Sequence, residues 1–374
     1  MAIPQLSAQP LAYLGRFTPC DVGPRIEQRA TLAWLIAAMN HAGIENSAER
    51  LYARLERATH IDSRSLCHSD FTHQRWDEMT LFSPSDGRPW YAPSLQKRMQ
   101  AFSAMAHRSI EQAFSDSEEA PGYIAQVSCT GYESPNAMQA LCLAKGWQAQ
   151  TRLLHVGHMG CYAALPATEM AARLVASSTK KLRASVFLVE ACSVHTRLDA
   201  MDSGQLINAF LFADGAIRLD ALPEPEAHCL AYLDGFETIV PDSAAQMTWH
   251  LADAGFQMYL AVEVPMTIGK KIAAEVDRFL ARHALDRSDI AEWAIHPGGT
   301  KIIEEVVHAL GLAPTQARHS LAVFRERGNM SSTTVPHIWT AMAQDVSVKE
   351  GALIVSLAFG PGLTVTGNLL RKGA

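Results

Sequence analysis

The stretch GHMGCYAALPATEMAAR, residues 157–173, sets a cysteine between glycines and a run of small, helix-favouring residues. This layout places the Cys161 thiol near the start of a buried helix. There the positive end of the helix dipole and a neighbouring imidazolium would draw its pKa down toward the thiolate, the nucleophilic form. Pro166 bears on the start point, because proline cannot donate to the preceding turn; the helix begins close to it or bends there. Taken alone, a buried and inert cysteine explains the same pattern.

Two downstream motifs change the weighing. HPGG at 296–299 follows the apolar pair Ala294 and Ile295 and precedes a helical segment from Lys301 to Leu310. Proline fixes that turn, and Gly298 and Gly299 let backbone approach a ligand closely. His296 at such a strand end is placed to act as donor or base, or to be satisfied by turn backbone. GNMSS at 328–332 lies between the charged segment Phe324–Arg327 and a helical segment from Pro336 to Ala343. The Asn329 amide can donate to a developing oxyanion, although Gly328 followed by Asn also reads as a helix C-cap. Cysteine, histidine and asparagine together are the parts needed to take an acyl group onto sulfur and form a carbon–carbon bond. They lie far apart in sequence, so a large fold must assemble them.

The bulk numbers permit that fold. The chain has 374 residues, 48% apolar and 19% charged, enough to bury a large core in two lobes. A net charge of −6 argues against a nucleic-acid footprint, which needs a basic face. No apolar run approaches the roughly 20 residues that span a bilayer. The first fifteen residues lack a basic n-region and a long apolar h-region, so a secretory signal is not expected. Seven cysteines in a chain of this size are expected as reduced thiols, and the protein as cytoplasmic. His155, His158 and Cys161 have ligand-like spacing, but no CxxC or HxxxH pair supplies a fourth ligand. No metal is expected.

Helical spacing of apolar residues occurs at 26–42, 94–114, 270–283 and 301–311. Short apolar or β-branched runs at Ile124–Val127, Val186–Val189, Leu353–Leu357 and Leu363–Val365 read as buried strands. The alternation predicts an α/β protein. LPEPEA at 222–227 marks the expected boundary, giving an N-terminal half 1–222 with the cysteine and a C-terminal half 223–374 with the histidine and asparagine.

With VEACS at 189–193, LFADGA at 211–216 and FGPGLTV at 359–365 added in order, the chain resembles the type III polyketide synthases, the chalcone and stilbene synthase family of the thiolase superfamily. The resemblance implies a layered αβαβα thiolase-like fold of two similar halves, a homodimer of the bacterial type, and CoA thioesters as substrates with no cofactor. Cys161 would carry an acyl-CoA starter, and His296 with Asn329 would bind malonyl-CoA and stabilise the enolate left by decarboxylation. Repeated extension and cyclisation to a pyrone or resorcinol would follow. Phe212 falls on the gatekeeper position, and Met258 on a second one that is aromatic in the plant enzymes. Trp249 takes a position that is small there. Cys129 and Ser134, in SCTGYESP at 128–135, match positions lining the cavity and the dimer contact, and Ser331 joins the cavity wall. Arg54, Gly298 and Gly299 match the CoA side. Two alternatives stand: a single-condensation enzyme of the same fold, such as a diketide-forming or ketoacyl synthase III-like one, and a non-catalytic acyl- or CoA-binding member.

Overall fold

The run Val186–Val189 lies inside a strand all of whose eight residues, Ala184–Ala191, are buried. Its side chains alternate between two different cores. Val186 and Leu188 face one cluster, while Phe187 and Val189 face another. A strand covered on both faces is apolar at most positions, which is why the sequence shows a continuous run at Val186–Val189 rather than alternation, with buried Ser185 and Glu190 at its flanks. Val, Leu and Phe side chains so buried contribute up to about 1.5–3 kcal/mol each. Leu353–Gly360 repeats the pattern. Ile354 and Ala358 point into the first of those clusters, and Leu353, Val355, Leu357 and Phe359 point into a third.

The computed structural model describes residues 9–44, 60–198, 203–253 and 255–373. Nine strands make the main sheet. The first five are β1 (Ala12–Pro19), β4 (Tyr123–Ser128), β5 (Arg152–Gly157), β6 (Ala184–Ala191) and β7 (Asp214–Leu222). The others are β8 (Leu230–Ile239), β11 (Ile290–Ile295), β12 (Leu353–Gly360) and β13 (Thr364–Lys372). Their order is β11-β12-β13-β8-β1-β7-β6-β4-β5. Two small pairs stand apart: β2 (Arg25–Glu27) with β3 (Ser63–Ser65), and β9 (Met247–Ala252) with β10 (Gly255–Leu260).

The order contains a repeat. Moving outward from β1, the neighbours β7, β6 and β4 are joined antiparallel, antiparallel and parallel. Moving outward from β8, β13, β12 and β11 follow the same sequence. The duplication is one of topology and leaves no repeat visible in the residues. Antiparallel pairing of Ala12–Leu14 with Leu230–Tyr232 joins the two series, and residues 223–229 connect β7 to β8.

Helices lie in three layers. The helices Gln28–His41, Leu95–Ala113 and Ala137–Ala144 pack through Trp34, Phe102 and Leu141 on one outer face. Val264–Ala281 and Thr300–Leu310 pack through Ile268, Ile272 and Val306 on the other. Between the strand layers sit Ala164–Ser177 and Thr334–Gln344. The first of these buries Ala164, Ala167, Ala171 and Ala172, whose small side chains let a helix pass between two sheets. The second buries Trp339, whose indole N–H donates to Ser356 Oγ at 2.7 Å. The result is the αβαβα arrangement of mixed α/β type.

Most expected helices begin and end within two residues of the observed ones. The exception is 270–283, which starts six residues early at Val264 because Pro265 sits in the first turn, where its missing N–H costs nothing. Pro166 is tolerated on the same ground as the third residue of Ala164–Ser177.

Candidate functional site

Three chain reversals carry the three candidate side chains. After β5 the backbone turns through His158, at φ 59°, and Gly160, at φ 82°, before the turn that holds Cys161. A side chain at 160 could not be accommodated: its Cβ would lie 2.6 Å from Pro361 Cδ, in the loop after β12. His296 continues the ladder beyond β11, donating its N–H to Leu357 O at 2.8 Å. Asn329 bridges Phe212, with its N–H donating to Leu211 O at 3.0 Å and its carbonyl accepting from Ala213 N–H at 2.8 Å. The Asn329 Oδ1 accepts from Ser331 N–H at 2.9 Å, which leaves the side-chain NH2 as the end free to be aimed elsewhere.

Cys161, His296, Asn329 and Phe212 line one small cavity, together with apolar Met258 and Phe359. A larger chamber adjoins it. Cys161, Phe212 and Met258 line both. The thiol therefore stands at the junction of two spaces, with the Phe212 ring and the Met258 side chain beside it.

Electrostatics differ from the expectation of a resting thiolate. Burial pushes the Cys161 thiol up to about 12, opposed by a hydrogen bond from Ser331 Oγ at 3.5 Å and aided by the Glu190 carboxylate. Burial likewise pushes His296 down to about 3. Neither ring nitrogen of His296 has a hydrogen-bond partner, although the residue is only 1% exposed. The free site thus holds a neutral thiol paired with Ser331 and a neutral imidazole paired with nothing.

Behind Cys161 runs a polar chain. Ser331 Oγ lies 3.2 Å from Cys129 Sγ. The Cys129 N–H donates to Glu190 at 3.1 Å, and Thr130 Oγ1 donates to the same carboxylate at 2.7 Å. Ser332 Oγ donates to it as well. Glu190 is fully buried on β6, and desolvation raises its pKa. The sequence motif at 189–193 contains Glu190 without assigning it a role; the available signal was a carboxylate directly after the apolar run Val186–Val189.

The hairpin β9–β10 forms a wall of the larger chamber. Trp249 and Met258 are direct cross-strand partners. Trp249 Nε1 donates to Cys129 O at 2.6 Å, and its carbonyl lies 2.8 Å from His158 Nε2. His195 ties the hairpin in a second place, with Nε2 2.7 Å from Thr130 O and Nδ1 accepting from Phe256 N–H at 3.3 Å. Its ring stacks on Phe256 with centroids 4.6 Å apart. Nothing in the sequence pattern singled out His195.

Comparison with known proteins accords with this geometry. Residues 233–373 match the model for chalcone and stilbene synthases, C-terminal domain. A 3,5-dihydroxyphenylacetyl-CoA synthase of Streptomyces toyocaensis is 30% identical over 66% of this chain and 64% of its own length. An alpha-pyrone synthesis polyketide synthase-like protein of Mycobacterium tuberculosis is 31% identical over the same shares. These alignments span slightly under two thirds of the relatives' own length. The crystal structure of PKS-I from the brown alga Ectocarpus siliculosus superposes with a TM-score of 0.81 at 27% identity, covering 97% of this chain and 98% of that one. Residues 233–373 thus form a C-terminal domain of the chalcone and stilbene synthase type. A 1,3,6,8-tetrahydroxynaphthalene synthase of Streptomyces coelicolor, at 22% identity and a TM-score of 0.82 over 97% of this chain and all of that one, shares the thiolase-type fold of these type III polyketide synthases.

Within this family framework the remaining expected residues separate. Met258, Trp249, Cys129 and Ser331 line the larger chamber. Gly298 lines the smaller cavity, whereas Gly299 does not and instead forms the N-cap of Thr300–Leu310. Ser134 is exposed and lines neither space, because the loop after Gly131 carries it away from the chamber to the surface. Arg54 lies outside the described residues. Among the described residues no three His, Cys, Asp or Glu side chains converge as a metal site, and no helix is long and apolar enough to cross a membrane.

Proposed function

We propose that this chain is a type III polyketide synthase that loads an acyl-CoA starter onto Cys161 and extends it with malonyl-CoA, repeatedly, before cyclisation. The observation that carries the reading is the meeting of Cys161, His296 and Asn329 on one apolar cavity that adjoins a larger chamber.

The chemistry follows from the burial. Cys161 and His296 rest neutral, so the thiolate forms as the thioester is attacked, its proton passing to an imidazole nitrogen that no other group occupies. Sulfur–carbon bond formation gives a tetrahedral adduct; its collapse breaks the bond to CoA, whose thiolate leaves with the proton. Malonyl-CoA then enters. A neutral imidazole keeps one N–H, and with the Asn329 NH2 it can donate to the malonyl thioester oxygen. Loss of CO2 leaves its electron pair as an enolate held by the same two donors. The enolate carbon attacks the acyl carbonyl, and the Cys161 sulfur departs. Phe212, Met258 and Phe359 exclude water from the carboxylate, which favours the uncharged CO2.

The adjoining chamber supports iteration, since it opens from Cys161 and is lined by the apolar Leu35, Phe71, Phe256 and Met258, a surface along which a growing chain can lie. The CoA thioesters are substrates, and no cofactor enters these steps. A homodimer acting in the cytoplasm completes the proposal. Incubation of the purified protein with malonyl-CoA and a panel of acyl-CoAs, without carrier protein, tests it. CO2 release with products longer than the starter by more than one acetate unit is expected. A product one unit longer points to a single-condensation enzyme, and neither CO2 nor product with any starter overturns the reading.

A further inference from the structure

Arg64 is 1% exposed, at the centre of β3, and its guanidinium serves the end of another element. Its Nη1 donates to Ala209 O at 2.8 Å and to Phe212 O, and its Nε donates to Gln28 Oε1 at 2.8 Å. Gln28, itself buried, donates through Nε2 to Phe210 O at 2.9 Å. Arg64 on β3 and Gln28 at the start of Gln28–His41 thus hold the Ala209, Phe210 and Phe212 carbonyls at and just beyond the C-terminal end of Ser203–Leu211. A helix C-terminus leaves its last carbonyls without partners and carries partial negative charge, so a cation there is doubly favourable.

The segment so capped is the one that positions the site. Phe212 follows the helix directly and lines both cavities. Its neighbours Leu211 and Ala213 hold the backbone of Asn329. Gly328 completes the arrangement: at φ 71° its Cβ would stand 3.0 Å from Arg64 Cγ and Cδ and 3.1 Å from Leu211 O. The Arg64 stem, the helix end and the Asn329 loop are therefore packed so closely that a Cβ at 328 would require them to give by a few tenths of an ångström.

We infer that Arg64, seconded by Gln28, is a positioning residue: it sets the Phe212 ring between the two cavities and the register of Asn329 in the smaller one. The kinetic part of this inference rests on the function proposed above; the steric part does not. Lysine retains the charge at 64, but its single ammonium cannot replace the planar fork that reaches Ala209 O, Phe212 O and Gln28 together.

The test uses Arg64→Lys and Gln28→Ala in the full chain, with circular dichroism to establish folding. Labelling of the Cys161 peptide by iodoacetamide and by a bulky fluorescein maleimide is followed by mass spectrometry. A displaced Phe212 ring changes the bulky-to-small rate ratio several-fold, whereas a merely looser fold raises both rates together. With malonyl-CoA, kcat for condensation falls by roughly 10- to 100-fold with KM little changed, the signature of misplaced reacting groups. In a Phe212→Leu background the change in labelling ratio caused by Arg64→Lys disappears. A folded Arg64→Lys protein with the wild-type labelling ratio overturns the inference, as does an undiminished change in the Phe212→Leu background. If Arg64→Lys does not fold, Gln28→Ala decides by the same ratio. Should the wild-type protein condense nothing, the function fails while the labelling ratio still settles the role of Arg64.

Discussion

His195 and His296 are equally buried and equally displaced, each pushed down to about 3, yet their surroundings are opposite. His195, with Arg98 nearby adding to the effect of burial, has both nitrogens occupied by Thr130 O and Phe256 N–H. His296 has neither nitrogen occupied. Buried polar groups without partners are few in folded proteins because each costs about 1–3 kcal/mol. A chain that keeps His296 in that condition, facing a cavity shared with Cys161 and Asn329, is holding two hydrogen-bonding positions for a visitor. His195 spends the same chemistry on fastening a hairpin wall to the Thr130 loop.

The largest test of this contrast removes the group both regions surround. Cys161→Ala is expected to abolish acyl loading and lower product formation by on the order of 10³-fold or more, measured by intact-protein mass after acyl-CoA exposure and by turnover. The two histidines are then separated by readout. His296→Gln is expected to lose about 10²- to 10³-fold in condensation, as for removal of an oxyanion donor, with thermal stability held or raised. His195→Ala is expected to lose about 1–3 kcal/mol in urea unfolding, because Thr130 O and Phe256 N–H are stranded. Equal stability losses for the two would break the comparison.

pH sharpens it further. His195, His296 and His337 each sit near 3 in the folded chain and return to their ordinary value near 6.5 on unfolding. Between those values the unfolded state binds more protons, so stability falls as pH drops from 6.5 toward 3. Each histidine contributes a slope of about 1.4 kcal/mol per pH unit, readable in urea midpoints across that window. The thiol acts at the other end. With Cys161 up at about 12, its iodoacetamide rate should keep climbing past pH 9 instead of levelling there. A plateau near neutrality would reveal a thiolate–imidazolium pair in the free protein. The smallest expected effect is Trp249→Phe, which removes the 2.6 Å bond to Cys129 O and costs about 1 kcal/mol of stability. Its product mixture, by mass, reports whether the wall position matters to chain length.

Much of this architecture was legible in the residues. β6 and β12 announce themselves as apolar runs because both their faces are covered, and the helix Leu95–Ala113 by its periodic apolar face. The site motifs were legible as well, because Gly160 and Gly328 occupy positive-φ backbone that favours glycine, and at 160 neighbouring atoms leave no room for a side chain. His195 and Arg64 were not. Their partners are backbone carbonyls and N–H groups on distant segments, and backbone groups leave no residue signature. Ser134 lies at the surface because its loop turns outward, on the side where the resemblance implies a dimer contact.

Sequence by itself determined which side chains meet in kind: a thiol, an imidazole and an amide, each beside residues that permit tight turns. It also determined the α/β character, through runs and periodicities that follow from local geometry and burial. The tertiary structure alone decided their state. Whether Cys161 rests as thiol or thiolate, and whether His296 is charged, depends on how much water the surrounding layers exclude. Desolvation is a sum over everything packed around a group, and no local stretch of sequence contains it.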